Sequence, residues 1–507
     1  MSRYRPSRAS VTGDSTLDGD VTVDGDLDVT KNLEGVQRYL LDDGGDGLGW
    51  GGEVGETWDI YVDPTAGSDL NDGLTAGKSL KTLKKALERI PTGIELYDSS
   101  GVRQAVSVHC AAGDHTFPLT FQAHNTIFYG TTSSVDSGTW TTVSSSKVDG
   151  SIIDATLVGT YAEDDLRGSP LEIGDNAYLP FRKAWIYANE ATTGGTTRLY
   201  IAHSQGPTSL PGTNTLSVKS LDTRFVIPPD ATNPNNSDPS IQFSGELTFS
   251  EINFDADPTA GAGTTIYNKC VQKVVFTGCK LGAPGSILKA MSANFGRTNL
   301  TTCYSQMTTA INGGTQGAIY IKSTVVDGSN QLIKALSAGS LIIQGEVVFR
   351  DSDGIQVNGT TAYDTNAALF RFFEFTGSTT CPTAIGVNTI ASDYYDGAVD
   401  LPEMYGAITG DYAVEAANGA RVYYNPASSL SSSLGINIVS ADGGTSNIST
   451  MPDLTFISGA SPPFKEYEIR YSPTTPADWA ATAPDDSQDA IDRLAAAVEG
   501  LLGGAIP

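Results

Sequence analysis

The sequence predicts an all-β protein built as a parallel β-helix, on three observations: short apolar runs recur at nearly constant spacing, polar or glycine-containing turns divide them, and no long helical periodicity intervenes. The runs are Leu247–Phe254, Val274–Leu281, Asn299–Tyr304, Tyr320–Val326, Leu341–Phe349 and Phe370–Phe375. Their last apolar residues fall at 254, 281, 304, 326, 349 and 375, giving steps of 27, 23, 22, 23 and 26. A period in this range marks units that cannot bury an apolar face alone and must stack on copies of themselves. Each unit reads as strand, Gly or polar break, strand and long turn, one coil per step of about 4.8 Å.

Composition narrows the class. With 39% hydrophobic residues beside 55 Gly and 24 Pro, the 507-residue chain is turn-rich and still able to bury a long core, which favours an ordered rod over disorder. The formal charge of −27, from 58 acidic against 31 basic residues, repels nucleic-acid phosphates and anionic membranes. It also keeps a long rod soluble. The cysteines Cys110, Cys270, Cys279, Cys303 and Cys381 lack metal-ligand spacing, and Cys279 and Cys303, at similar places in successive coils, read as buried free thiols. No run approaches the roughly 18–20 apolar residues of a spanning helix, and basic Met1–Ser10 is followed by no apolar core, so neither membrane insertion nor signal-peptide export is expected.

Residues 1–41 read as a basic arm followed by a short β repeat. Arg3, Arg5 and Arg8, with Tyr4, stand out in an acidic chain and suit docking on an acidic partner surface. From Val11 a six-residue repeat places Gly13, Gly19 and Gly25 in one phase and Val11, Leu17, Val23 and Val29 in another. So short a β repeat has too little apolar surface to fold alone, and intertwining of three chains would cover it. Residues 42–57 form a Gly/Asp linker. Residues 58–132 open the β-helix: Trp58–Val62 reads as a strand, Asp63–Gly73 as a loop, and Leu80–Ile90 as an amphipathic helix stopped by Pro91 that caps the core. Between 133 and 222 the coil spacing is lost and Asp164–Ile173, Leu199–Ala202 and Leu216–Lys219 read as hairpin strands, so a β-rich module is inserted there and faces outward. The β-helix body is expected over 223–470, its period loosening after Phe375. The tail, 471–507, begins a helix at Asp485 whose Ile491, Leu494, Val498 and Leu501 step by 3, 4 and 3; three copies would bury that stripe, and packing on the chain's own last coil would do so equally.

Together, the Tyr61-Val-Asp63 and Gly67-Ser-Asp-Leu-Asn-Asp-Gly73 loop, the Lys81-Thr-Leu and Ala86-Leu87 helix, the coils and the Ala490-Ile-Asp-Arg-Leu-Ala-Ala496 helix resemble bacteriophage tailspike and fibre proteins of the pectate-lyase-like class. The resemblance covers most of the chain as architecture, with its sequence motifs confined to 58–90 and 476–502. It implies a right-handed parallel β-helix, a homotrimer assembled in the host cytoplasm, mounted on a virion through its N-terminus and reaching a host surface polysaccharide. Some relatives cleave that polysaccharide and others only bind it, and no stretch here matches a catalytic signature of the lyase members.

The candidate chemistry is sparse. Gly73-Leu-Thr-Ala-Gly-Lys-Ser79 has three residues between its glycines where a phosphate loop needs four, and Asp72 stands where the first Gly should be, which excludes nucleotide binding. Asp63, Asp69, Asn71 and Asp72 offer hard oxygens for Ca²⁺, or shape turns without it. Glycan cleavage needs two carboxylates at set separation, and Asp327, Asp351 and Asp353 follow strand ends in adjacent coils where in-register stacking would pair them, unless they are solvated turn residues. Tyr394, Tyr395, Tyr405 and Tyr412, interleaved with acids, offer flat faces for sugar rings, or core packing where the solenoid tapers. His109, His115, His124 and His203 lack the spacing of a helical metal pair. The expectation is a virion-surface spike or fibre that attaches to host glycan, with no cofactor required; the alternative is a tailspike depolymerase acting as a polysaccharide hydrolase or lyase.

Overall fold

The computed structural model describes residues 58–90 continuously, 103–230 with short breaks, and beyond 240 the strands and tight turns up to 456. The basic arm, the hexad repeat, the linker and the C-terminal helix stripe lie outside the described residues. Within them the chain is almost entirely β and winds as a parallel solenoid. One coil runs Glu246–Ser250, Asn253–Ala256 and Thr264–Asn268; the next runs Lys273–Thr277, Lys280–Leu281 and Leu288–Ala293. Each strand pairs in parallel with its counterpart one coil on: Phe249 with Phe276, Phe254 with Leu281, Ile266 with Met291. Three faces result. The first and second share the long strand Ser340–Arg350 and so form one sheet of 18 strands, and the third is a sheet of 11.

The long turn expected in each unit therefore hides a third strand. Segments such as Ala310–Gly313 and Leu332–Ala335 are only four residues long, and pairing with the coils on either side makes them strands. Stacking also persists past Phe375: Thr383–Asn388, Tyr412–Ala417, Ile438–Ser440 and Leu454–Phe456 continue the third face.

Between the first and second faces the chain turns a corner, and the turning residue is left-handed in every one of five coils: Glu251 (φ 59°), Gly278 (61°), Thr302 (50°), Ser323 (51°) and Gly345 (68°). These stack because the preceding residues are in register, Ser250 on Thr277 on Thr301 on Lys322 on Gln344. Thr302 is the costly member, since a β-branched side chain at positive φ is strained by about 1–3 kcal/mol. Its neighbours over-determine it: Thr302 N donates to Lys322 O at 2.8 Å and Gly278 N donates to Thr301 O at 3.0 Å.

Inside the coils, Ile60, Val108, Phe128, Phe249, Phe276, Leu300, Ile321 and Ile343 form one column in register. Phe128, Phe249 and Phe276 stack at centroid separations of 5.2 Å. Cys279 and Cys303 sit just after the corner in adjacent coils as buried free thiols, and burial pushes Cys303 up to about 12. The helix expected over Leu80–Ile90 is confined to Leu83–Leu87, because Leu80 is taken by a parallel bridge to Val62 and Thr82 caps the helix, its Oγ1 accepting from Lys85 N at 3.1 Å. Leu80, Leu83, Ala86 and Ile90 nonetheless all enter the solenoid core beside its first strand.

Residues 132–221 form a closed antiparallel barrel of six strands, Thr132–Ser146, Gly150–Leu157, Pro170–Asp175, Leu179–Asn189, Thr197–His203 and Thr213–Leu221. The barrel has its own core around Trp140, Ile153, Leu171, Ile186, Leu199 and Val218. It leaves and rejoins the solenoid at one corner, where Asp222 N donates to Thr131 O at 2.8 Å and Thr131 N to Thr223 Oγ1 at 2.9 Å. Thr223–Ile227 then resumes the second face between Gly113–Thr116 and Asn253–Ala256, as if nothing had been inserted.

Phe249→Ala empties the middle of the aromatic stack and is expected to cost about 3–5 kcal/mol. Thr248→Ala, on the outer side of the same strand, is expected to stay within about 0.5 kcal/mol. Denaturant midpoints of the two variants check the assignment of inner and outer positions.

Candidate functional site at the barrel seat

The barrel lies back along the second face of the solenoid, and the outward residues of that face are buried beneath it. Trp185, Tyr187, Ala188 and Ala202 from the barrel pack with Tyr304, Val325 and Val348 from three successive coils. Trp185 Nε1 donates to the carbonyl of the strained corner residue Thr302 at 2.7 Å, and Phe373 packs edge-on to Tyr187 at 5.2 Å. This seam explains why Val325-Val326-Asp327 and Val347-Val348-Phe349 are buried throughout rather than at alternate positions.

Charged residues are buried in the same seam, each with partners. Asp327, 0% exposed, accepts from Arg167 Nε at 2.8 Å, from Arg167 Nη2, from Tyr304 Oη and from Gln306 Nε2 at 3.2 Å. Burial, reinforced by Asp327, pushes the Tyr304 hydroxyl far above its ordinary value, so it stays a donor. Burial lowers Lys280, whose Nζ lies 5.7 Å from the Tyr304 ring centroid. Arg350 reverses the direction of pairing: from the solenoid its Nη1 and Nη2 reach Asp164 of the barrel at 3.1 and 2.6 Å. Arg371 Nε donates to Glu346 at 2.8 Å while Nη1 and Nη2 hold the carbonyls of Val148 and Lys147 at 2.7 and 2.8 Å. Lys147 in turn reaches both oxygens of Glu403 at 2.9 Å.

Glu346 has a traceable origin. Two residues separate the paired positions Lys322 and Val325, but three separate their counterparts Gln344 and Val348. This coil therefore carries one extra residue at its corner. The insertion leaves Glu346 2% exposed, and burial raises it above the usual carboxylate range against the pull of Arg371. Glu403 is held low by Lys147.

Where barrel and corner column meet there is a shallow cleft, lined among others by Glu172, Lys183 and Lys219 of the barrel and by Glu251, Gly278 and Thr302 of the corner. Lys219 pairs with Glu172 at 3.2 Å, and Lys183 with Glu251. The cleft thus presents two carboxylates and two ammonium groups above the buried Trp185.

Of the residues singled out from sequence, Asp327, Tyr405 and the loop set Asp63, Asp69, Asn71 and Asp72 fall among the described side chains. Asp327 was grouped with Asp351 and Asp353 as a stacked acid set or a solvated turn. Register instead sets Asp327 opposite Arg350, and the barrel seals it; Asp351 and Asp353 lie outside the described residues. Tyr405 is 5% exposed, its hydroxyl donating to Glu403 at 3.0 Å, so it closes the seam and offers no open ring face. Tyr394, Tyr395 and the Tyr412 side chain lie outside the described residues, as do Arg3, Tyr4, Arg5, Arg8, Ile491, Leu494, Val498 and Leu501.

Asp63, Asp69, Asn71 and Asp72 fix their own loop. Asp63 Oδ1 accepts from Thr65 N and Ala66 N, Asp69 Oδ1 from Lys81 N and Thr82 N, and Asp72 Oδ1 from Leu74 N, while Asn71 Nδ2 donates to Ser79 O. Among the described residues no three His, Cys, Asp or Glu side chains converge as a metal site. Sequence reasoning missed Arg167, Trp185, Arg350 and Arg371. Apolar or charged residues filling both alternations of one strand were the available signal.

A buried ion pair is worth little net but is costly to break, about 3–5 kcal/mol when one partner is removed. Asp327→Ala is therefore expected to loosen the barrel on the rod, read as faster hydrogen exchange along Thr302–Asp327 and Leu179–Asn189. Asp327→Leu combined with Arg167→Met is expected to recover most of the protection. The Lys147–Glu403 contribution has the opposite acid limit to Glu346: with Glu403 lowered, it is present above the ordinary carboxylate value and lost as pH falls through the lowered one. Glu403→Gln is expected to flatten the acid side of the melting-temperature profile. No protein-family model matches the chain and no curated protein matches it in sequence, so the functional reading rests on its residues and geometry.

Proposed function

We propose that the chain is a structural spike or fibre of a virion surface, a homotrimer docked through its N-terminal segment and attaching to host surface glycan. One observation carries the reading: a parallel solenoid holds a complete folded barrel against its flank through a seam that buries Asp327, Glu346, Arg350 and Arg371. Such an arrangement presents a module at a fixed distance and angle, which is what adhesion from a particle requires. Of the three candidate acids, Asp327 is engaged in the seat rather than open to a substrate. The basic arm with Arg3, Tyr4, Arg5 and Arg8 suits docking on an acidic virion protein, because the chain as a whole carries −27 and the acidic remainder would repel such a surface. The stripe of Ile491, Leu494, Val498 and Leu501 suits assembly of three copies, and the coil sense is taken as right-handed, in keeping with the tailspike resemblance.

The test is incubation of the purified full chain with intact envelope polysaccharide from a susceptible host. Attachment is expected to give saturable binding with no new reducing ends and no unsaturated uronate absorbance. Steady release of reducing ends would make the protein a depolymerase instead. Particles assembled with a chain lacking residues 2–10 are expected to carry none of it, and normal incorporation would remove the docking role from the arm.

A further inference from the structure

The barrel has one side that the rod does not use. Around the closed barrel, strand Thr132–Ser146 stands opposite Leu179–Asn189, the strand that carries Trp185 and Tyr187 into the seam, so its outer surface points away from the solenoid. The outward residues there and on its two neighbours are hydroxylic. Thr215, Thr139 and Thr156 form one row across three strands, with Ser217 and Ser137 in the row beside it and Thr141 two residues beyond Thr139. Thr139, Thr141, Thr156 and Thr215 are exposed. Val135 (56% exposed), Val143 (45%) and Val158 (88%) border this grid, the first two at positions where the strand bulges.

The edge is fixed by Asp136, which accepts from Ser137 N, Val158 N, Gly159 N and Tyr161 Oη. The ionisable residues in the same rows stand at the border of the grid and are ion-paired: Asp154, opposite Thr141, with Arg198 at 2.8 Å, and Glu172, opposite Ser217, with Lys219 at 3.2 Å.

We infer that this face is a contact surface for a neutral, hydroxyl-rich polysaccharide, an inference that rests on the glycan-attachment reading and adds the class of glycan and the place. The occupant follows from charge and size. A chain carrying −27 repels anionic polymers, and the acids bordering the grid are already neutralised by Arg198 and Lys219, which leaves little for a cationic partner there. The grid spans three strands and about three outward positions, roughly 10 by 13 Å. That is far below the ~800 Å² per partner of a stable protein interface, so a second copy of the chain is a poor occupant. A linear neutral glycan needs only such a strip: the hydroxyls donate and accept on both sides, and the Thr and Val methyl groups pack against ring C–H surfaces. Weak contact per copy is multiplied when several copies meet one polymer.

The experiment uses the full chain against immobilised dextran, mannan and galactan, with polygalacturonate as the anionic arm, for the wild type and for Thr139→Lys combined with Thr156→Lys. Both threonines are exposed, so an unchanged melting temperature and circular dichroism spectrum are expected of the variant. Binding to at least one neutral polymer with at least a tenfold loss in the variant supports the inference. Neutral binding that survives the substitutions overturns this face while leaving glycan attachment in place. Binding to polygalacturonate alone overturns the neutral class, and binding to none of the four overturns the face.

Discussion

The hydrogen-bonded register between successive coils at the corner of the first and second faces is the constraint on which the molecule depends. Ser250, Thr277, Thr301, Lys322 and Gln344 must align for the left-handed residues after them to stack, and that alignment fixes which side chains point inward. A slip of one residue would exchange the inner column of Phe128, Phe249 and Phe276 with the outer column that includes Thr248. Strain at Thr302 is tolerated because main-chain ladders hold the coil from both sides and Trp185 binds its carbonyl. The same register aligns Tyr304, Val325 and Val348 along the outside, producing the surface on which a barrel can sit.

The seat combines two kinds of interaction with different consequences. Trp185, Tyr187 and Phe373 supply apolar area, which is permissive about angle. Arg167–Asp327, Arg350–Asp164 and Arg371 with the Lys147 and Val148 carbonyls supply direction, since each is satisfied only when one particular coil faces one particular barrel turn. Their desolvation offsets much of their attraction, so their effect falls on registry more than on net stability. A module fixed in this way has one side committed to the rod and the opposite side committed to solvent, and the Ser/Thr grid occupies the latter.

Much of this was legible in the sequence. The recurrence of Phe254, Leu281, Val326 and Phe349 gives the coil period, because inner positions are mostly apolar; Tyr304 marks its coil from the outer side, one residue before the in-register Ser305. Loss of the period after residue 132 marks the insertion, whose strands alternate as a half-buried barrel wall must. The third face was hidden because segments such as Ala310–Gly313 are too short to show an alternation of their own and become strands only through their neighbours. The seam was hidden for a different reason. Asp327, Arg350 and Arg371 read as ordinary solvated charges until the barrel, more than a hundred residues away in sequence, is folded over them. For Tyr405 the sequence leaves a sugar-binding face and core packing open, and its burial beside Glu403 is the packing outcome. One extra residue at the corner before Val347 suffices to bury Glu346, and no local pattern announces it.

The account treats the rod with its seated barrel as one arm of a three-chain fibre, so the mass of the intact protein in solution is the most direct measurement. Light scattering is expected to give close to three times 53.1 kDa, falling toward one copy when residues 1–35 and 485–507 are removed. A single copy at every concentration, with all residues present, would contradict it and leave a lone β solenoid acting as a one-chain binder or enzyme.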